Sequence, residues 1–185
     1  MNIIDKKLFY IIIVYSLLTA QQVDHIELPM DISETTFNAS IPKPSEVFNH
    51  HVGEQHSRTD QIIDYFYAVA NKSNRVVVED HGATHEGRRL IHAIITSVEN
   101  QNNLDEILKN NRNLFLNPNK VSKKTIKKMP VVAYFGYSIH GDEASGSEAA
   151  MLLLYHLSAG SSIGIRNYLN NIVLIIDPML NPDGR

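Results

Sequence analysis

The chain has 185 residues, of which 43% are hydrophobic and 20% charged, as expected of a soluble protein with one real core. Its formal net charge of −3 gives no support to nucleic acid or an anionic membrane as a partner. The chain contains no cysteine. Disulfides, thiolate metal ligands and a cysteine nucleophile are therefore excluded.

The first twenty residues have the composition of a signal peptide. Lys6 and Lys7 precede an apolar run over residues 8–18, which ends at the small residues Thr19 and Ala20. This run is shorter than the roughly 20 residues that a membrane-spanning helix needs. We therefore predict a signal peptide over residues 1–20 and a secreted or periplasmic protein. The alternatives are an N-terminal anchor or a buried strand.

The next segments are a polar lead-in and the start of a folded domain. Residues 21–55 carry several prolines and are predicted to be an extended lead-in. The domain then spans 56–185. Apolar residues at helical spacing predict a helix over 60–70, with Asp60 as its cap. Two apolar, β-branched runs at 75–79 and 90–96 predict an antiparallel hairpin.

The second half of the domain alternates strands and helices. Residues 100–128 are polar with helical periodicity, and their basic end, 120–128, is predicted to be a solvated surface. A continuous apolar run at 130–136 predicts a buried central strand. A helix over 145–158 is predicted to begin with a capping box of Ser145 and Glu148. A second buried strand follows at 172–176, and the order predicts a βαβ unit in a mainly parallel sheet.

A histidine and a glutamate follow the first of these parallel strands. His140 and Glu143 are three residues apart, so one turn of backbone can direct both at one ion. An imidazole and a carboxylate with an open position form the ligand set of a catalytic zinc. The alternative is that Glu143 only caps the following helix.

A tight turn follows the second parallel strand. Its sequence is Asn181-Pro182-Asp183-Gly184, which is typical of a simple reversal of the chain. However, the carboxyl ends of parallel strands share one edge of a sheet, where ligands bind in α/β folds. The turn is therefore expected beside His140.

Together the two loops resemble the zinc carboxypeptidases of the M14 family, particularly its secreted bacterial branch. The sequence from His85 to Arg88 also looks like a Glu-Gly-Arg turn of that family. The resemblance covers roughly residues 56–185 and implies a three-layer α/β sandwich around a mixed, mainly parallel sheet.

The resemblance also implies roles for particular residues. His140 and Glu143 match the first two ligands of a Zn²⁺ ion, and Asn181 and Asp183 match the turn beside the substrate cleft. The third zinc ligand, a histidine, and the general-base glutamate come later in the family than Arg185, so no catalytic residue is assigned. Arg185 itself precedes the position of the family's substrate-binding arginine.

Seven other histidines are expected to have ordinary packing or surface roles. They are His50, His51, His56, His81, His85, His92 and His156.

The leading hypothesis is a metallocarboxypeptidase that hydrolyses C-terminal bonds of peptide or protein substrates. We expect no nucleic-acid partner, no stable membrane association after signal cleavage, and little activity from the chain as given. One alternative is a zinc-dependent N-acyl amino acid deacylase. The other is an inactive remnant or a peptide-binding pseudo-enzyme, which the missing catalytic residues favour.

Overall fold

The computed structural model describes residues 35–185, and the predicted signal peptide lies outside them. Within this range the helices are α1 Pro44–Val47, α2 Thr59–Ala70, α3 Val98–Asn102, α4 Leu104–Leu116, α5 Lys123–Ile126, α6 Ala144–Ala159 and α7 Ile163–Asn171. The strands are β1 Val76–Ala83, β2 Arg89–Ile95, β3 Val131–Gly136 and β4 Ile172–Asp177. Short 3-10 turns lie at Pro118–Lys120 and Pro182–Gly184.

The four strands form one mixed sheet in the order β1-β2-β4-β3. β3 and β4 pair in parallel, which confirms the predicted strand–helix–strand unit. β1 pairs antiparallel with β2, and β2 pairs antiparallel with β4. The α/β class with a mixed sheet is therefore confirmed. The sheet of residues 35–185 is nevertheless not mainly parallel, because the β1–β2 hairpin joins it in the antiparallel sense.

Helices cover both faces of the sheet, as expected of three layers. Helix α6 contacts α2 and the two central strands, β2 and β4. On the other face, Ile107 of α4 packs with Ile94 and Val173. Because side chains alternate along a strand, Ile95 and Leu174 point to the face opposite Ile94 and Val173. Both are fully buried, so the core extends on both sides of β2 and β4.

The segment before α2 is part of the packed structure. Residues 35–57 include α1, and the side chains of Ile41 and Phe48 are buried. Helix α2 begins where the periodicity predicts, but its N-cap is Arg58 rather than Asp60. The reason is that Gln61 accepts from the Arg58 backbone N–H, while Asp60 forms an ion pair with the Arg58 side chain.

Strand β3 differs from its prediction as a buried central strand. Among residues 35–185 it lies at one edge of the sheet. Its side chains Val131, Tyr134 and Phe135 are exposed. No helix in this part of the chain is long and apolar enough to cross a membrane.

Candidate metal site

Two loops leave the same edge of the sheet and continue side by side. Gly136 at the end of β3 is paired with Asp177 at the end of β4. The contact continues beyond the strands, because the Tyr137 N–H donates to the Asp177 carbonyl at 2.9 Å and the Leu180 N–H donates to the Tyr137 carbonyl at 2.9 Å. The predicted neighbourhood of His140 and the Asn-Pro-Asp-Gly turn is therefore present.

Gly141, directly after His140, lies against this turn. A Cβ atom at Gly141 would stand 2.2 Å from the Gly184 carbonyl carbon and 2.5 Å from the Asn181 carbonyl oxygen. No side chain can be accommodated at such distances without moving backbone. The glycine between the two candidate ligands therefore allows the loops to touch.

His140 and Glu143 lie on one local turn of the backbone, and both side chains face solvent. The Glu143 N–H donates to the His140 carbonyl at 3.0 Å, and both side chains are exposed. Glu143 occupies the N-cap position of α6, but its side chain makes no capping hydrogen bond. The structure thus disfavours the capping alternative. An exposed imidazole and carboxylate fit two positions of a zinc ion.

The ligand set is incomplete within residues 35–185. No three His, Asp or Glu side chains of this range are grouped so that they could hold a metal ion. Several other histidines are already in contact with protein groups. His50 contacts Ser57, His81 contacts Asp177, and His156 packs against Phe37. Burial lowers the pKa of His156.

The predicted capping box of Ser145 and Glu148 is wrong, because Glu148 has distant partners. It accepts hydrogen bonds from the Ser57 N–H at 2.7 Å and the Ser57 hydroxyl at 3.1 Å. Arg185 lies 3.5 Å from the same carboxylate and donates to the Ser57 carbonyl at 2.6 Å. Burial lowers the pKa of Arg185. This network fastens both α6 and the end of the turn to the segment before α2.

Asp183 is the centre of a second network. It accepts hydrogen bonds from the Thr84 hydroxyl at 2.7 Å, Arg88 at 2.7 Å and the Glu86 N–H at 3.2 Å. Partial burial alone would raise the pKa of Asp183, but these three donors outweigh it and hold the pKa below its usual range. The Glu-Gly-Arg turn thus holds the Asn-Pro-Asp-Gly turn. Asn181 closes that turn by accepting from the Gly184 N–H at 3.3 Å.

Sequence reasoning missed Ser138 and Asp177. Ser138 has a φ of 50°, a left-handed conformation that is uncommon outside glycine, and its hydroxyl donates to the Glu143 carbonyl at 2.9 Å.

Asp177 is fully buried beside His81 at 3.0 Å and Tyr134 at 3.2 Å. Burial, followed in importance by the Asp177 carboxylate, raises the pKa of Tyr134 to about 12. A charged residue ending an apolar strand was the signal for Asp177, whereas nothing in the sequence marks Ser138.

Comparison with known proteins gives the class of protein. The sequence model of the zinc carboxypeptidase family, Peptidase_M14, matches residues 62–185. The chain therefore belongs to the zinc carboxypeptidase family.

One similar solved structure is the crystal structure of carboxypeptidase A from Helicoverpa armigera, with 21% identity and a TM-score of 0.47. The match covers 79% of this chain and 28% of that one, so the chain spans well under half the length of that enzyme. No curated protein matches.

Proposed function

We propose that this chain contributes the first part of the active site of a zinc-dependent metallocarboxypeptidase that removes C-terminal residues from peptides or proteins. The observation that carries the proposal is the exposed pair His140 and Glu143, three residues apart and held against the Asn-Pro-Asp-Gly turn. Membership of the family supports it. Zinc binding, peptide substrates and turnover are parts of the proposal.

The proposed ligands are the His140 imidazole and the Glu143 carboxylate. When bound, zinc supplies Lewis-acid polarisation of a carbonyl group and a water of lowered pKa. The contributions of the chain itself are to hold the two donors on one loop and to keep them accessible. Gly141, within that loop, lies against the turn at 181–184, and this contact helps to fix the position of the loop.

We assign no general base among residues 35–185. Glu148 is buried against Ser57 and Arg185, and Asp177 is buried against His81 and Tyr134. A general base must reach the proton that it abstracts. Neither of these two carboxylates is accessible to a substrate.

The ligand assignment is tested by zinc binding to the native protein and its variants, measured by equilibrium dialysis. His140→Ala and Glu143→Ala should each weaken binding by about tenfold or more, because a metal site loses much of its affinity with one donor. His85→Ala and Glu106→Ala are matched controls, since both side chains are exposed. Equal affinity in His140→Ala and His85→Ala would remove His140 from the site.

The reaction is tested on the native protein purified from its source. A carboxypeptidase hydrolyses a peptide with a free C-terminal carboxylate and leaves its C-terminal amide intact. Cleavage of N-acyl amino acids instead would favour the deacylase alternative. Peptide binding without cleavage would favour a pseudo-enzyme.

Export is also part of the proposal, because residues 1–20 have the composition of a signal peptide. N-terminal sequencing of the native protein should find a first residue near Gln21. A product that still begins at Met1 would contradict cleavage.

A further inference from the structure

Positive charge is concentrated in one region of a chain that is acidic as a whole. Between Ile107 and Gly141 lie seven of the 17 Lys and Arg residues and none of the 20 Asp and Glu residues. These seven are Lys109, Arg112, Lys120, Lys123, Lys124, Lys127 and Lys128. The net charge of −3 therefore hides a strong asymmetry between this region and the rest of the chain.

The seven cations are exposed and lack ion pairs within the described structure. Five of them belong to α4, the 3-10 turn Pro118–Lys120 and α5, and Lys127 and Lys128 directly follow α5. None forms an ion pair with another residue of 35–185. By contrast, the arginines Arg58, Arg88 and Arg89 each pair with a carboxylate. The positive charge of residues 109–128 is thus not neutralised by an ion pair within the described residues, and Glu106 is the carboxylate that shares a cavity with Lys124 and Lys128.

Large apolar side chains are exposed in the same segment of the chain as these cations. Phe115 at the last turn of α4 is 85% exposed, Leu116 is 56% exposed and Ile126 of α5 is 40% exposed. Single exposed apolar residues are common on protein surfaces. An aromatic ring left almost entirely in water within a lysine-rich segment is instead a pattern found in proteins that lie on anionic lipid surfaces. We call residues 109–128 the lysine-rich surface.

We propose that the lysine-rich surface binds reversibly to an anionic lipid bilayer, with Phe115 and Leu116 inserted at the interface and the lysines on the headgroups. Charge complementarity identifies the occupant, because anionic lipids attract unpaired lysines. The exposed Phe115 and Leu116 favour a bilayer over a purely polar polyanion, since their burial adds a hydrophobic term. The sequence alone favours a solvated surface for 120–128, and the structure adds the exposed apolar residues. The association is peripheral and does not depend on the proposed zinc chemistry.

The test is co-sedimentation of the full chain with lipid vesicles. The wild-type chain should bind vesicles of phosphatidylcholine mixed with phosphatidylglycerol more tightly than vesicles of phosphatidylcholine alone. Added salt should weaken this binding, because it screens the lysines. Any contribution of residues 1–20 is the same in every variant, so the comparison of variants isolates the surface.

Two matched pairs of variants separate the charge from the apolar residues. Lys123→Glu/Lys127→Glu should weaken binding by about tenfold or more, since each lysine near an anionic surface contributes about fivefold. Lys43→Glu/Lys72→Glu changes the net charge equally at exposed sites elsewhere and should have much less effect. Phe115→Ser should weaken binding by about fivefold or more, whereas Ile163→Ser, at a residue that is 70% exposed, should not.

Three results would overturn the proposal. The first is no preference of the wild-type chain for anionic vesicles. The second is equal loss of binding in the two lysine double variants. The third is binding of the wild-type chain to heparin as well as to vesicles, with the same affinity for both in Phe115→Ser. That result would identify a general polyanion site. Far-UV circular dichroism of each variant confirms that the chain remains folded.

Discussion

The turn after β4 and the loop after β3 lie side by side, but their side chains are used in opposite ways. In the turn, Asp183, Asn181 and Arg185 all have hydrogen-bond partners within the protein. In the loop, the His140 and Glu143 side chains are exposed, and the loop is held by backbone hydrogen bonds and by the Ser138 hydroxyl. The difference indicates a division between a supporting turn and a loop available to a ligand. Removal of these side chains should therefore change stability in the turn and metal binding in the loop.

The largest loss of stability is expected where the two loops touch. Gly141→Ala places a Cβ atom 2.2 Å from the Gly184 carbonyl carbon, so backbone must move. We expect the free energy of unfolding to fall by about 3 kcal/mol. Urea denaturation measures this change. The control is Gly164→Ala, because a Cβ atom in α7 would meet nothing closer than 3.9 Å and alanine favours the helix.

The next largest effect is expected at the buried Glu148. Glu148→Ala leaves the Ser57 N–H without its acceptor and removes the carboxylate that faces the buried Arg185, which keeps only the Ser57 carbonyl. This change should lower the free energy of unfolding by about 2 kcal/mol. Glu148→Gln keeps an acceptor for Ser57 and should cost less. Chemical denaturation of both variants tests this order. If alanine and glutamine were equally harmful, the negative charge of Glu148 would be the important property.

A smaller effect, dependent on pH, is expected at Asp183. Its pKa is depressed in the folded chain, so the carboxylate contributes stability above the unfolded value of about 3.9. That contribution is lost as the pH falls through the lower folded value. Asp183→Asn should lower the denaturation midpoint at neutral pH and make stability less sensitive to pH between about 5 and 2. If the denaturation midpoints of wild type and variant changed with pH in the same way, Asp183 would not contribute to the loss of stability in acid.

The smallest change in stability is expected in the loop itself. His140→Ala and Glu143→Ala should alter the free energy of unfolding without metal by no more than about 0.5 kcal/mol, because the side chains are exposed. Thermal denaturation with and without zinc makes the test. Zinc should stabilise the wild type and not these variants. A large loss of stability without metal would contradict the division between the two loops.

The sequence predicts local elements well because they depend on short-range patterns. The α2 helix and the β1–β2 hairpin follow from local apolar patterns, and the parallel pair β3–β4 follows from the order strand–helix–strand. Together they confirm the α/β class. The capping box of Ser145 and Glu148 fails because Ser57, far away in sequence, takes the carboxylate. A local motif cannot reveal such a competitor.

Parts of the candidate site likewise depend on contacts between distant segments. The motifs placed His140, Glu143, Asn181 and Asp183 at one edge of the sheet. They did not reveal Thr84 as a partner of Asp183 or the left-handed backbone of Ser138. The first arises from the β1–β2 turn folding against residues 181–184. The second is set by the path that the chain takes after β3.

The strand order has a consequence for the sequence of events in folding. Strand β2 pairs with β4, although the whole of 96–171 separates them along the chain. The β1–β2 hairpin can close early because its loop is short, whereas the β2–β4 and β3–β4 pairings require larger loops to close. During synthesis, the inner edge of β2 thus stays open until β4 has emerged. The two halves of the candidate site cannot meet before that step, which makes docking of β4 the event that creates the site.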